Sequence, residues 1–161
     1  MRSYTHAVTY VTDNLLRSLK DVIRLSGLDP SAFTDNWATL HNGIQTWIES
    51  GHLNSITLEV YNPADESLVG RWDITVSYSY TGGDGSFWTD TDDIRYAIRK
   101  AGIYAGSCRY QVLVDNKPGA AAVAGWGAGT FRSTAGMVKQ SIGTTVEASG
   151  LSGGFSYYRR G

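Results

Sequence analysis

The chain has 161 residues, 42% of them apolar and 18% charged, with a formal net charge of −1 and one cysteine, Cys108. That length supports one domain burying about 70% of its unfolded surface without a metal or disulfide, and the composition excludes an internal disulfide, a basic nucleic-acid footprint and an apolar run of membrane-spanning length. Asp13, Arg17, Lys20, Asp21 and Arg24 interrupt the first apolar stretch, so no secretory leader is expected and a cytoplasmic protein is the default.

Ala7, Val8, Val11, Leu15, Leu19, Val22 and Ile23 recur at three- and four-residue steps, which predicts a long helix with one apolar face, ended by Gly27. Asp29-Pro30 then offers a capping side chain and a proline at a first helical position. Phe33, Trp37, Leu40, Ile44, Trp47 and Ile48 form the apolar stripe of a second helix, stopped by Gly51. From here the period changes to two. Ile56, Leu58 and Val60 alternate with Thr57, Glu59 and Tyr61; after Asn62-Pro63-Ala64-Asp65 a second run alternates through Trp72, Ile74, Val76 and Tyr78, giving a hairpin with one buried face.

Residues 81–85 are expected to be an exposed turn, and Asp90, Asp92 and Asp93 to cap a short third helix through Ile94, Ala97, Ile98 and Ala101, closed by Gly102. Cys108, Tyr110, Val112 and Val114 alternate with Arg109, Gln111 and Leu113 in a third strand. The order suggests α+β, three helices on one face of a small antiparallel sheet. Residues 116–161 hold ten of the nineteen glycines and show no sustained period until a strand-like end at Phe155-Ser156-Tyr157-Tyr158. A loop of that length is usually functional. Trp126, Phe131, Met137, Val138, Ile142 and Leu151 need cover, so the tail is expected to lie over the body, where it can shield a sheet edge. Residues 1–115 carry nine basic against fourteen acidic side chains (−5), and residues 116–161 five against one (+4). Opposite signs would hold the tail loosely, at about 0 to 1 kcal/mol per exposed pair; chance spread over a solvated surface explains them equally.

Catalytic and metal chemistry find little support. His6, His41 and His52 have no companions at metal-ligand spacing. The aspartates around Asp84 and Asp90 lack the glycine and glutamate of a calcium loop, with Arg95 and Ala101 in those places, and helix capping accounts for them better. The Gly125-Trp126-Gly127-Ala128-Gly129-Thr130 run lacks the strand, helix and lysine of a phosphate loop. No Ser-His-Asp or Cys-His arrangement is readable, and no cofactor is expected. Trp37, Trp47 and Trp72 fall on core registers, whereas Trp126 could anchor the tail or touch a partner.

The run 48–62, from Ile48-Glu49-Ser50-Gly51 to Val60-Tyr61-Asn62, followed by Gly70-Arg71-Trp72-Asp73-Ile74, resembles the HORMA domains, and among them the small bacterial proteins (HORMA family 1) of cyclic-oligonucleotide anti-phage signalling (CBASS) operons. It is similar to the segment of the spindle-checkpoint member in which a strand ending in asparagine leads through a glutamate-rich turn to an Arg-Trp strand. Arg132-Ser133-Thr134 with Thr144 and Thr145 resembles the late segment called the safety belt. The resemblance covers the whole chain as a single HORMA domain, residues 1–115 forming the core and 116–161 the belt and C-terminal strand.

What the resemblance implies is strand addition with entrapment. A closure-motif peptide would pair with the edge at residues 108–115, through Arg109, Tyr110, Gln111, Val112, Leu113 and Val114. The belt would cross it at 117–132 with Trp126 and Phe131, while Phe155 and Tyr157 would dock near residues 71–76, over Trp72. A ring-shaped AAA+ ATPase would engage Arg2, Ser3 and Tyr4. The peptide-bound form would bind and activate a nucleotidyltransferase of the CD-NTase type, with no catalysis by the chain itself. The belt departs from the family in its richness in glycine and alanine. The competing readings are a constitutively closed scaffold and an enzyme using tail serines or the scattered histidines.

Overall fold

The computed structural model describes residues 4–78 and 87–160, with Tyr4 and Thr5 as backbone only. In order these form α1 (Tyr4–Leu25), α2 (Ser31–Asp35), α3 (Trp37–Glu49), β1 (Leu53–Tyr61), β2 (Leu68–Tyr78), β3 (Phe87–Thr89), α4 (Thr91–Ala101), β4 (Arg109–Asn116), β5 (Met137–Ala148) and β6 (Leu151–Arg160). The turn expected at 81–85 lies outside the described residues, as do Arg2 and Ser3, while Tyr4 opens α1.

The apolar stripe of α1 is shut from solvent along its length, with Val8, Val11, Leu19, Val22 and Ile23 at 0% exposure. Its end is a Schellman turn: Leu28 N–H reaches Ile23 O and Gly27 N–H reaches Arg24 O, with Gly27 at φ 87. The end of α3 repeats the motif, His52 to Trp47 and Gly51 to Ile48, with Gly51 at φ 78. Between these stops the second expected helix is broken in two. Asn36 adopts φ −98 and ψ 11, and its side-chain amide donates to Ala32 O at 3.2 Å, a local bond that competes with a straight continuation. Asp29 caps α2 by accepting the Ser31 N–H at 2.9 Å, and Pro30 sits just ahead of the helix rather than at its first position.

The six strands lie in the order β3-β5-β6-β2-β1-β4, every neighbouring pair antiparallel. The sheet is therefore wider than the three strands and strand-like end read from the sequence. The stretch that showed no period contains β5, which pairs with β6 through a tight turn at Ser149 (φ 42) and Gly150 (φ 92), the two left-handed positions of a type I′ hairpin. Register shifts at Ser141/Gly143 and Thr144/Val146 break the alternation of β5, which hid it.

The helices pack on one face of this sheet around Trp72, Ile74, Val76, Phe155 and Tyr157. Gly153 lets α1 come close, because a side chain there would press on Val146, Leu15 and Ile74. At the start of α4 the Asp90 carboxylate accepts the Asp93 N–H at 3.0 Å, so the acidic run does cap a helix. Among the described residues no helix is long and apolar enough to cross a membrane.

Candidate functional site

β4 ends the sheet: β1 pairs with one of its edges, and no described strand pairs with the other. Its side chains alternate between two surroundings. Tyr110, Val112 and Val114 are half-buried and pack against the core on the helix side, whereas Gln111 faces the other way and donates to Glu59 at 2.9 Å. Arg109 is exposed and Leu113 is buried.

Residues 117–136 leave the end of β4 and pass from one side of this edge to the other. On the helix side, Lys117 N–H donates to His52 O at 2.7 Å, and Trp47 Nε1 donates to Ala121 O at 2.8 Å. Trp126 then seats on α3. Its indole stands edge-on to Trp47 at 5.0 Å, its Nε1 donates to Thr39 O at 3.0 Å, and it fills the space over Gly43 that any side chain would occupy. Beyond Trp126 the chain rounds the edge of β4, and Gly129 lies against Leu113 on the far face.

There the belt is clasped by charge. Arg132 donates from its backbone N–H to Glu59 Oε2 at 2.7 Å and from Nη1 to Glu59 Oε1 at 2.8 Å, and its Nη2 reaches Glu66 at 2.8 Å. The guanidinium also covers the Tyr61 ring at 3.6 Å. Glu59 is fully buried. Burial alone would lower the Arg132 pKa, but the hydrogen bonds and charges of Glu59 and Glu66 outweigh it and hold the group above its ordinary value. Glu66 takes part from a left-handed backbone, φ 63, in the β1–β2 turn. Phe131 lies beneath Arg71, 4.8 Å from its guanidinium.

Between the edge of β4, the helices α2 and α3 and residues 125–129 runs a groove of about 400 Å³. Tyr110, Gln111, Val112, Leu113 and Trp126 line it together. Arg109, Val114 and Phe131 do not. Sequence reasoning missed the helical wall, formed by Phe33, Asn36, Thr39 and Leu40, because Phe33 and Leu40 sit on the stripe that also builds the core. It also left Glu59 as an ordinary polar-face residue, because a carboxylate between Leu58 and Val60 is what an alternating half-buried strand shows and no local signal marked its burial.

The second cluster lies where β6 joins β2. Trp72 stands opposite Tyr157, and Ile74 opposite Phe155. The Trp72 indole stacks on Tyr157 at 4.6 Å, meets Phe155 edge-on at 5.9 Å, and donates from Nε1 to the Tyr104 hydroxyl at 2.9 Å. Burial pushes the Tyr104 pKa up to about 12, which keeps that acceptor neutral. Elsewhere, His41 pairs with Asp13 at 2.7 Å and His52 with Ser50 at 2.7 Å. Among the described residues no three His, Cys, Asp or Glu gather as a metal site would require.

The notch at Gly43 yields a direct test of how the belt is held. In Gly43→Ala, helix propensity should favour α3 by up to about 1 kcal/mol, yet the added Cβ collides with the Trp126 indole. The expected result is faster protease cleavage within residues 117–132 with overall thermal stability nearly unchanged. Unchanged cleavage would mean that Trp126 does not hold the belt.

Comparison with known proteins agrees with this geometry. A search of curated proteins finds no match. Among solved structures, a chain of the mitotic checkpoint complex superposes with a TM-score of 0.76 at 10% identity, covering 96% of this chain and 98% of that one. C. elegans HTP-2 bound to the HIM-3 closure motif gives 0.70 at 11% identity, covering 92% and 90%. The E. coli MS115-1 CdnC:HORMA-deltaN complex gives 0.70 at 12% identity, covering 99% and 91%. At these identities the likeness speaks for the fold alone. The family model described as "Bacterial HORMA domain 2", whose number differs from the family 1 of the sequence resemblance, matches residues 1–161, and the chain belongs to that bacterial HORMA family.

Proposed function

We propose that this chain is a peptide-binding signalling adaptor of anti-phage defence. Its groove takes a closure-motif peptide as a strand added to β4, the belt encloses that strand, and the peptide-bound form binds and activates a CD-NTase nucleotidyltransferase. The observation that carries this reading is a sheet edge with no described partner strand, encircled by a chain segment anchored on both faces of the sheet. Backbone groups on such an edge supply affinity and the alternating side chains supply selectivity. The partner classes come from the neighbours: one is bound to a closure motif and another stands in a complex with CdnC. The reading includes a cytoplasmic setting, no catalysis by the chain, and an AAA+ ATPase that reopens the belt through residues 1–4.

Reconstitution tests it. The chain, a CD-NTase nucleotidyltransferase and candidate closure-motif peptides are combined with each component left out in turn. Peptide-dependent synthesis of the second messenger, together with protease protection of residues 117–132 on adding the peptide, is the expected outcome. Protection that is the same with and without every peptide tested would sink the switch. A constitutively closed scaffold is the second reading, favoured by the fact that Trp126 and Arg132 are anchored on the chain's own residues. It predicts nucleotidyltransferase activation with no peptide present.

A further inference from the structure

The groove has a definite chemical character. Phe33, Leu40, Val112 and Trp126 give it apolar walls, Asn36 and Gln111 add neutral polar groups, and among the described residues no charged side chain lines it. Its volume, about 400 Å³, suits a few side chains rather than a folded partner. An ionised side chain placed there would lose its water without gaining a counter-charge.

Charge appears at one end. The Tyr110 hydroxyl donates to Asp29 O at 2.7 Å and accepts the Phe33 N–H at 3.3 Å, which pins it at the start of α2. Asp29 is thereby fixed at this end of the groove, and Asp35 closes the short α2 beside the groove residues Phe33 and Asn36, so both acids stand near it. Burial raises the pKa of the hydroxyl, the Phe33 N–H opposes the rise, and the two carboxylates add to it. Neither takes part in an ion pair among the described residues. Tyr110 and Val112 lie two residues apart on the helix-facing side of β4, about 7 Å along a strand.

We propose that the bound strand carries an uncharged apolar residue beside Val112, against Phe33, Leu40 and Trp126, and a lysine or arginine two residues away at the Tyr110 end, facing Asp29 and Asp35. This rests on the peptide-adaptor reading above and names the sequence character of the partner. The neutral wall selects by exclusion: an acidic residue beside Val112 would be buried without a partner. The basic residue adds less, because Asp29 and Asp35 are exposed and solvent screens them.

The experiment selects binders to the 161-residue chain from a displayed library of random nine-residue peptides, then measures the selected peptides by fluorescence anisotropy. The expected consensus is an apolar residue with Lys or Arg two positions to one side. Replacing the apolar residue by glutamate should weaken binding about a hundredfold or more. Replacing the basic residue by alanine should weaken it about two- to fivefold, and that loss should disappear in the Asp29→Asn/Asp35→Asn double variant. Peptides that bind as well with glutamate at the apolar position, or a basic preference that survives the double variant, would overturn this inference and leave the adaptor reading standing. Recovery of no peptide above background would overturn both.

Discussion

Arg132→Ala should destabilise the chain by about 3–5 kcal/mol and release the belt on the face of the sheet away from the helices. The size follows from what the substitution leaves behind. Glu59 has no exposure and accepts three hydrogen bonds, from Gln111 Nε2, Arg132 N and Arg132 Nη1. Among the described residues Arg132 is the cation paired with this buried carboxylate, and removing it is the case in which breaking one half of an ion pair costs far more than the pair was worth. Chemical denaturation measures the loss. Replacing both groups by leucine should recover most of it, because the uncompensated charge is then gone. Arg132→Lys keeps the charge but not the fork that reaches Glu59 and Glu66 together, and should fall between the two. A midpoint unchanged within about 0.5 kcal/mol for Arg132→Ala would show that the clasp contributes nothing.

Trp72→Ala should have a comparable effect at the other cluster, about 3–5 kcal/mol for a fully buried aromatic side chain, or roughly 6–20 °C in melting temperature at this chain length. Trp72 is 0% exposed, and it joins β2 to β6 through Tyr157 and Phe155 while its indole N–H is held by Tyr104. The cavity therefore opens between the core sheet and the C-terminal hairpin. Hydrogen exchange in β6 should rise more than in α3. Trp72→Phe restores much of the ring volume but leaves the Tyr104 hydroxyl without its donor, so it should recover only part of the loss. If β6 and α3 lose protection equally, Trp72 supports the whole core and has no special part in docking the hairpin.

The helices and the first hairpin could be read in the sequence because their signals are local. Stripe and glycine stop follow in order along α1, and the two-residue period runs cleanly from Ile56 to Val60 in β1 and from Trp72 to Tyr78 in β2. The C-terminal hairpin was legible at one end only. Leu151, Phe155 and Tyr157 alternate inward, but Gly153 takes an inward place with no side chain, and the two register shifts in β5 move its alternation out of phase. The Ser149-Gly150 turn was the surviving sign. Of the groove, the sheet edge could be placed from its alternation and from family likeness. Its helical wall could not, because Phe33 and Leu40 satisfy the helix pattern and the groove with the same side chains. The long-range bonds that anchor the belt, Trp126 to Thr39 and Arg132 to Glu59, join residues 87 and 73 positions apart and leave no periodic trace.

One property of residues 117–136 follows from their being fixed at both ends, to β4 on one side and to β5 on the other. β5 is itself held by β6, and β6 lies between β5 and β2 inside the sheet. A strand held beneath such a segment cannot leave sideways while both ends stay in place. Its departure waits for the strap to lift, so residence time is set by how often Trp126 and Arg132 let go together, whatever grip the strand has on β4. Equilibrium affinity and dwell time are thereby uncoupled: a weakly gripping sequence, once enclosed, would still be retained until the strap lifts.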